Sequence, residues 1–261
     1  MLKLEKEKKV KQLLKGLVKS GGRNVNGRIT SFHRGGGHKQ LYRLIDFKRN
    51  MQGVPGKVKR IEYDPMRTSK IALVAYSNGV ISYVLATSNL KVGDIILNRD
   101  PRLDWNMMEF NVQEQGSTFL LKNCKVGDYV CNIELVPGGG AKMMRSAGTY
   151  GIVKKVDTFS NYVVIKMRSN EERMFSGDCL AVLGRNSNEE HRFKKLRKAG
   201  ENRWRGKRPV VRGVAMNPVD HPHGGRTPGG RVCVTPWGKL TKGKKTRSPR
   251  KVNKFIVKKS K

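Results

Sequence analysis

Apolar and polar positions alternate in short runs over the middle of the chain. LYRLIDF (41–47) and VKRIEY (58–63) place apolar side chains at about every second position, the period of a strand with one buried face. IALVAY (71–76) is apolar throughout and predicts a strand buried on both faces. Between it and VISYVLA (80–86) stands Ser77-Asn78-Gly79, and Asn-Gly predicts a hairpin because both residues tolerate positive φ. The tetrapeptide KVGD occurs at 91–94 and again at 125–128, each copy leading into strand-like residues, DIIL and DYVCNIEL. Further strands are expected in TYGIVKKV (149–156), NYVVIKMR (161–168) and CLAVL (179–183), at the spacing of small barrels or sandwiches. The pattern predicts two small β domains in tandem, joined near Gln113 to Gly127.

The pattern fails at both ends. Residues 20–40 hold six glycines and four Arg or Lys around Val25, Ile29 and Phe32, which cannot build a core; glycine lets the backbone lie close to a partner while guanidinium groups supply donors for phosphate oxygens. SNEEHRFKKLRKAG (187–200) predicts one helix, with Ser187 as cap, Glu190 as its reciprocal partner and Gly200 at the far end. Beyond it, proline and glycine interrupt every periodicity, and much of this tail is expected to take shape only on a partner. The first turns, MLKLEKEKKVKQLLKGLVK, suit a basic amphipathic helix, but Glu5 and Glu7 are out of keeping with an organellar transit peptide.

Charge sharpens this division. The formal net charge is +35, of which residues 1–60 carry +14, residues 61–186 only +2 and residues 187–261 carry +19. Cations are densest where apolar patterning is weakest, so an anionic partner, nucleic acid first, must neutralise the ends. No apolar run approaches the roughly 20 residues of a membrane-spanning helix. The four cysteines, Cys124, Cys131, Cys179 and Cys233, are too few and scattered for a secreted disulfide framework; Cys124 and Cys131 read as small core residues in a reducing compartment.

HPHGG (221–225) offers two imidazoles, but without CxxC or HExxH the set is short of a zinc site. His221 and His223 are therefore expected to pack or hydrogen-bond against RNA, and no metal site is assigned. GGGHK (35–39) and PGGGAK (137–142) lack the GxxxxGK[ST] pattern and its strand-loop-helix setting. Trp204 among arginines and Trp237 ahead of KGKKTR suit stacking on unpaired bases. The expected contacts are Arg23, Arg28, His33, Arg34, His38, Lys39 and Arg43 near the amino end, and Arg145 in the middle. Toward the carboxyl end they are Arg203, Trp204, Arg205, Arg208, Arg212, Asn217, His221, His223, Trp237, Lys242, Lys244, Lys245 and Arg247. An RNA-processing enzyme using the HPH segment and a DNA-compacting protein remain as rivals; RNA cleavage lost in His221→Ala, or equal affinity for duplex DNA, would favour them.

GRNVNGRITSFHRGGGHKQLYRLIDFKRN (22–50), VKRIEYDPMRTSKIALV (58–74), RSAGTY (145–150), RWRGKRPVVRGVAMNPVDHPHGG (203–225) and VTPWGKLTKGKKTR (234–247) together resemble the universal large-subunit ribosomal protein two family, of bacterial and organellar type. The resemblance implies a mainly β chain, an OB-like barrel followed by an SH3-like barrel, with extended basic ends and one short helix after the barrels. It divides the chain into a basic extension (1–40), the OB-like barrel (41–113), the SH3-like barrel (114–186) and a helix with a basic rRNA-binding tail (187–261). It implies a non-enzymatic structural constituent of the large subunit. The expected partners are large-subunit rRNA, neighbouring ribosomal proteins and the small subunit at the interface, with one copy per ribosome. The family is associated with subunit joining, tRNA binding and integrity of the peptidyl transferase region, toward which the MNPVDHPHGG segment would lie. No cofactor is expected, and Mg2+ bridging to rRNA is compatible with this composition. The segment before Ser20 and residues 98–115 depart from the family pattern, which points to a member made inside an organelle, a mitochondrion before a plastid, with a bacterial cytoplasm as the alternative.

Overall fold

The structure is a computed structural model, and it describes residues 10–98, 116–225, 232–243, 245, 246, 248 and 253–259. Two compact units emerge, one of residues 1–17, 40–195 and 254–261, the other of residues 18–39 and 196–253.

The first unit carries the sheets. Short strands β1 (Leu14–Gly16) and β2 (Leu41–Arg43) pair antiparallel. The segment expected to begin as an amphipathic helix instead holds a 3-10 turn at Lys11–Leu13 before β1; its first nine residues lie outside the described residues. Strands β3 (Pro55–Glu62), β4 (Ile71–Tyr76), β5 (Ile81–Leu85) and β6 (Ile95–Leu97) form an antiparallel sheet in the order β5-β4-β3-β6. β4, apolar but for the Tyr76 hydroxyl, is buried on both faces as expected. Ala72, Val74 and Tyr76 pack with Val58, Val84 and Ile96, while Ile71 and Leu73 pack with Tyr83 and Leu85 on the other side.

The hairpin between β4 and β5 is present, but its turn differs from the expected one in detail. Only Gly79 takes a positive φ, +81°. The Gly79 N–H donates to the Tyr76 carbonyl at 3.0 Å, and Asn78 Oδ1 accepts the Val80 N–H at 3.1 Å. This is a three-residue loop with glycine in the left-handed position, so asparagine contributes a side-chain acceptor and not its tolerance of positive φ. Gly79→Ala is expected to cost about 1 kcal/mol, because an L side chain is strained there although the added Cβ meets open space; a lowered denaturation midpoint with an unchanged denaturant slope is the readout.

The two KVGD copies fold alike. The Asp94 carboxylate accepts the Lys91 N–H at 2.7 Å and the Asp128 carboxylate accepts the Lys125 N–H at 2.8 Å. Gly93 and Gly127 then turn at φ +102° and +98° and donate their N–H groups across the sheet to Val58 and Val153. A repeated sequence thus produces a repeated device, an aspartate-capped turn that registers the strand after it.

The second half contributes β7 (Thr118–Leu120), β8 (Tyr129–Cys131), β9 (Ile133–Glu134), β10 (Ala141–Met143), β11 (Gly151–Asp157), β12 (Tyr162–Met167), β13 (Glu172–Ser176) and β14 (Leu180–Leu183). With a last strand β15 (Ile256–Lys258), seven of them form an antiparallel sheet in the order β15-β13-β12-β11-β8-β14-β7, and β9 pairs with β10 apart. Its core gathers Phe119, Leu121, Val130, Ile133, Val153, Val163, Ile165 and Phe175 with Cys124 and Cys179. All four cysteines are free, and burial pushes the Cys124 and Cys131 thiols up to about 12 and Cys179 to about 11. These three buried thiols are inert packing groups, as was expected for Cys124 and Cys131.

Among the described residues neither sheet closes on itself, so the OB-like and SH3-like halves stand as open antiparallel sheets and not as sealed barrels. In the first half the segment 45–52 reaches both edges, Ile45 bridging Tyr83 in β5 and Gln52 bridging Asn98 just past β6. There Arg49, 5% exposed, donates to Asn98 Oδ1 and to the Gly116 carbonyl, both at 3.4 Å. Asn98 Nδ2 donates in turn to the Met51 carbonyl and the Tyr76 hydroxyl. Burial depresses the Arg49 pKa from its usual range, yet its hydrogen bonds tie the first half to the start of the second.

The helix expected over 187–200 is not formed. Ser187 is buried and its Oγ accepts the Lys70 N–H at 3.0 Å, while Asn188 turns to φ +65° and donates to the Thr68 carbonyl. The intended cap is thereby committed to the sheet, and only a 3-10 turn at Glu189–Phe193 follows. The one α-helix among the described residues, α1 (Ala199–Trp204), starts twelve residues after the expected cap and holds Gly200 inside its first turn. No helix among the described residues is long and apolar enough to cross a membrane.

Candidate nucleic-acid interface

The second unit is assembled from the two sequence ends. α1 closes with Gly206 at φ +81°, its N–H donating to the Arg203 carbonyl at 3.0 Å, and the Lys207 N–H reaches back to Asn202 at 3.0 Å. That is the glycine-terminated helix end in which the two residues past the cap satisfy the last carbonyls. The exposed end then zips onto residues 33–38. Gly35 N–H donates to the Gly206 carbonyl at 3.0 Å, His38 N–H to the Trp204 carbonyl at 2.8 Å, and Arg208 N–H to the His33 carbonyl at 3.0 Å; Arg34 and Lys207 form an antiparallel bridge. Glycine is obligatory at position 37, where a Cβ would lie 2.6 Å from the Gly206 nitrogen and 2.9 Å from the Trp204 carbonyl. Lys19 Nζ donates to the His38 carbonyl.

This junction leaves an open groove of about 630 Å3 lined by Gly35, Gly36, Gly37, His38, Arg203 and Trp204. Among the described residues neither the Gly36 nor the Gly37 N–H meets an acceptor. His38 Nδ1 donates to the Lys39 carbonyl at 2.7 Å, which leaves Nε2 as an acceptor. Trp204 stays 58% exposed, with Lys198 Nζ 5.0 Å from its ring centroid.

A second loop is built around the histidines. His221 is buried, its Nδ1 accepts the His223 N–H at 3.0 Å, and the two rings stand 4.5 Å apart. A Cβ at Gly213 would sit 2.5 Å from the His221 ring. His223 Nε2 lies 3.1 Å from the Val234 N–H and 3.0 Å from the Val232 carbonyl, so its role follows its tautomer. Asn217 offers its carbonyl to the Asp220 and His221 N–H groups. Both imidazoles therefore hold loops of their own chain together. Among the described residues no three His, Cys, Asp or Glu side chains gather to hold a metal.

The other expected contacts fall into two groups. Arg23, Arg28, His33, Arg34, Lys39, Arg205, Arg208, Arg212, Trp237, Lys242 and Lys245 are exposed in the second unit, and none of its basic side chains is ion-paired among the described residues. Lys244 and Arg247 lie outside the described residues. Arg43 and Arg145 belong to the first unit. Arg43 is half-buried and donates to the Leu41 carbonyl at 2.9 Å, while Arg145 lies 4.8 Å from the Phe47 ring centroid, with Arg67 at 5.5 Å. Local sequence gave no sign of that stack, nor of Arg185 set 4.4 Å and 4.7 Å from Tyr129 and Tyr150; both depend on strand pairings far apart in the chain. Lys198 was also missed, and its place ahead of α1 was obscured by the misplaced helix.

A β-rich body joined to a unit whose exposed cations lack acidic partners among the described residues defines a nucleic-acid-binding protein. Family models agree on which kind: the ribosomal proteins L2 RNA-binding N-terminal domain matches residues 10–98, and the ribosomal proteins L2 C-terminal domain matches residues 114–249. The chain belongs to the ribosomal protein L2 family. It is 51% identical over 257 residues to the large ribosomal subunit protein uL2 of Beijerinckia indica, covering 97% of this chain and 88% of that one. Against the uL2 of Orientia tsutsugamushi it is 52% identical over 258 residues, covering 98% and 90%.

Proposed function

We propose that this chain is a structural constituent of the large ribosomal subunit that binds its rRNA. The observation that carries this reading is the second unit itself, whose sequence spans hold 21 Lys or Arg against only Glu201 and Asp220. Such a surface repels itself until phosphates neutralise it. Family membership supports the same assignment.

In this reading the β halves dock on folded rRNA, and the exposed arginines and lysines of residues 18–39 and 196–253, with Arg43 and Arg145, meet phosphates. In it the chain divides near residues 40, 113 and 186 into a basic extension, two β halves and an rRNA-binding tail. The protein works by assembly and carries out no reaction. It supports subunit association, tRNA binding and the integrity of the peptidyl transferase region, beside neighbouring ribosomal proteins and the small subunit, one copy to a ribosome. Both relatives are bacterial, so a bacterial cytoplasm fits, and the mitochondrial placement draws no support from them.

The chain, tagged and expressed in its own cell, is expected to sediment with large subunits and to stay there through a high-salt wash, because interlocked contacts release slowly even when each is screened. Recovery in the ribosome-free supernatant before any wash would end this proposal.

A further inference from the structure

We infer that the groove between the glycine loop and the end of α1 seats one unpaired nucleotide of the rRNA, its base stacked on Trp204 and its phosphate met by Arg203 and the Gly36 and Gly37 N–H groups. The inference rests on the rRNA-binding reading and adds to it a defined occupant for one site.

Three observations converge. At about 630 Å3 the groove has the size of a small-ligand cleft. Its polar edge offers donors in an exposed guanidinium and two backbone N–H groups without acceptors among the described residues. Among the described residues no carboxylate lines it, so an anion is favoured over an acidic or neutral peptide. Its apolar wall is an indole 58% exposed, over which Lys198 sits 5.0 Å from the ring centroid. A cation on one face of a ring leaves the opposite face for a second partner, and a base is the flat π surface that rRNA can offer.

The nucleotide must be unpaired because in a duplex each base is covered above and below by its neighbours. The backbone also has to come close. Gly37 packs against Gly206 with no room for a Cβ, which brings the adjoining N–H groups to the groove unshielded by side chains.

The test uses the full-length chain and large-subunit rRNA. In a chain carrying Trp105→Phe and Trp237→Phe, Trp204 is the sole tryptophan, and its emission is expected to be quenched in step with rRNA binding measured by filter retention. Trp204→Leu is expected to weaken binding roughly tenfold, within the range for loss of one stacked base, without changing the salt slope. Trp204→Phe keeps a stacking face and most of the affinity. Ultraviolet crosslinking of the unmodified chain should join the peptide containing Trp204 to a nucleotide outside any stem, and this readout stands even if Trp204→Leu fails to fold. Tight rRNA binding with unquenched Trp204 emission, or a crosslink to a paired stem or to a protein, overturns the inference and leaves the function proposed above standing. Absence of rRNA binding overturns both.

Discussion

Between about 50 and 200 mM monovalent salt, the affinity of the full-length chain for large-subunit rRNA is expected to fall by about three to five orders of magnitude. A protein that neutralises some six to ten phosphates releases as many condensed counterions, and the entropy of that release vanishes as bulk salt rises. The second unit supplies well over that number of exposed cations, and its acidic residues are two. Replacing Arg203 or Lys242 with Gln should each flatten the logarithmic slope by about one. Filter binding over a salt series measures it. An affinity that changes less than tenfold over this range would mean that the cations face water in the complex.

The largest stability loss is expected from Glu134→Ala. Glu134 is 2% exposed, and its carboxylate accepts the N–H groups of Gly140 at 2.8 Å, Leu180 at 3.0 Å and Gly138 at 3.2 Å. Gly140 and Leu180 are buried, so removing the acceptor strands two donors that water reaches poorly, at about 1–3 kcal/mol each. The total, about 2–6 kcal/mol, is a large part of the 5–15 kcal/mol by which domains of this kind are held folded. Glu134→Gln keeps one acceptor oxygen and should lose less than half as much. Urea denaturation decides the matter: equal midpoints for wild type and Glu134→Ala would show that the loop finds other acceptors at no cost.

The strands were legible because a half-buried strand writes its geometry into every second residue. β4 coincides with the IALVAY run, and the hairpin after it was marked by Gly79. The helix was misread because Ser187 is chemically able to cap, and nothing nearby in sequence reveals that Lys70, more than a hundred residues earlier, already uses its hydroxyl. The buried Arg49 was invisible for the same reason: its partners Asn98 and Gly116 come from distant turns. At the interface, composition identified the basic residues individually. It could not show that His33 to His38 pair with Trp204 to Arg208, since residues there alternate no faces and only tertiary hydrogen bonds bring them together. The bracing of their own loop by His221 and His223 was also not legible, because it depends on Gly213, Val232 and Val234 folding back against the HPH segment.

The pairing of Gly37 with Gly206 also sets a timetable for synthesis. At about 5–20 residues per second, the glycine loop leaves the synthesising ribosome roughly 8 to 35 seconds before its mate at the end of α1. Through that interval the nascent β body can fold, since all its strands except β15 precede residue 184, while the early cationic loop stays unclasped. The clasp shuts only on a chain that is nearly finished, so a truncated product keeps its sheets but for the edge strand β15 and never acquires the paired surface.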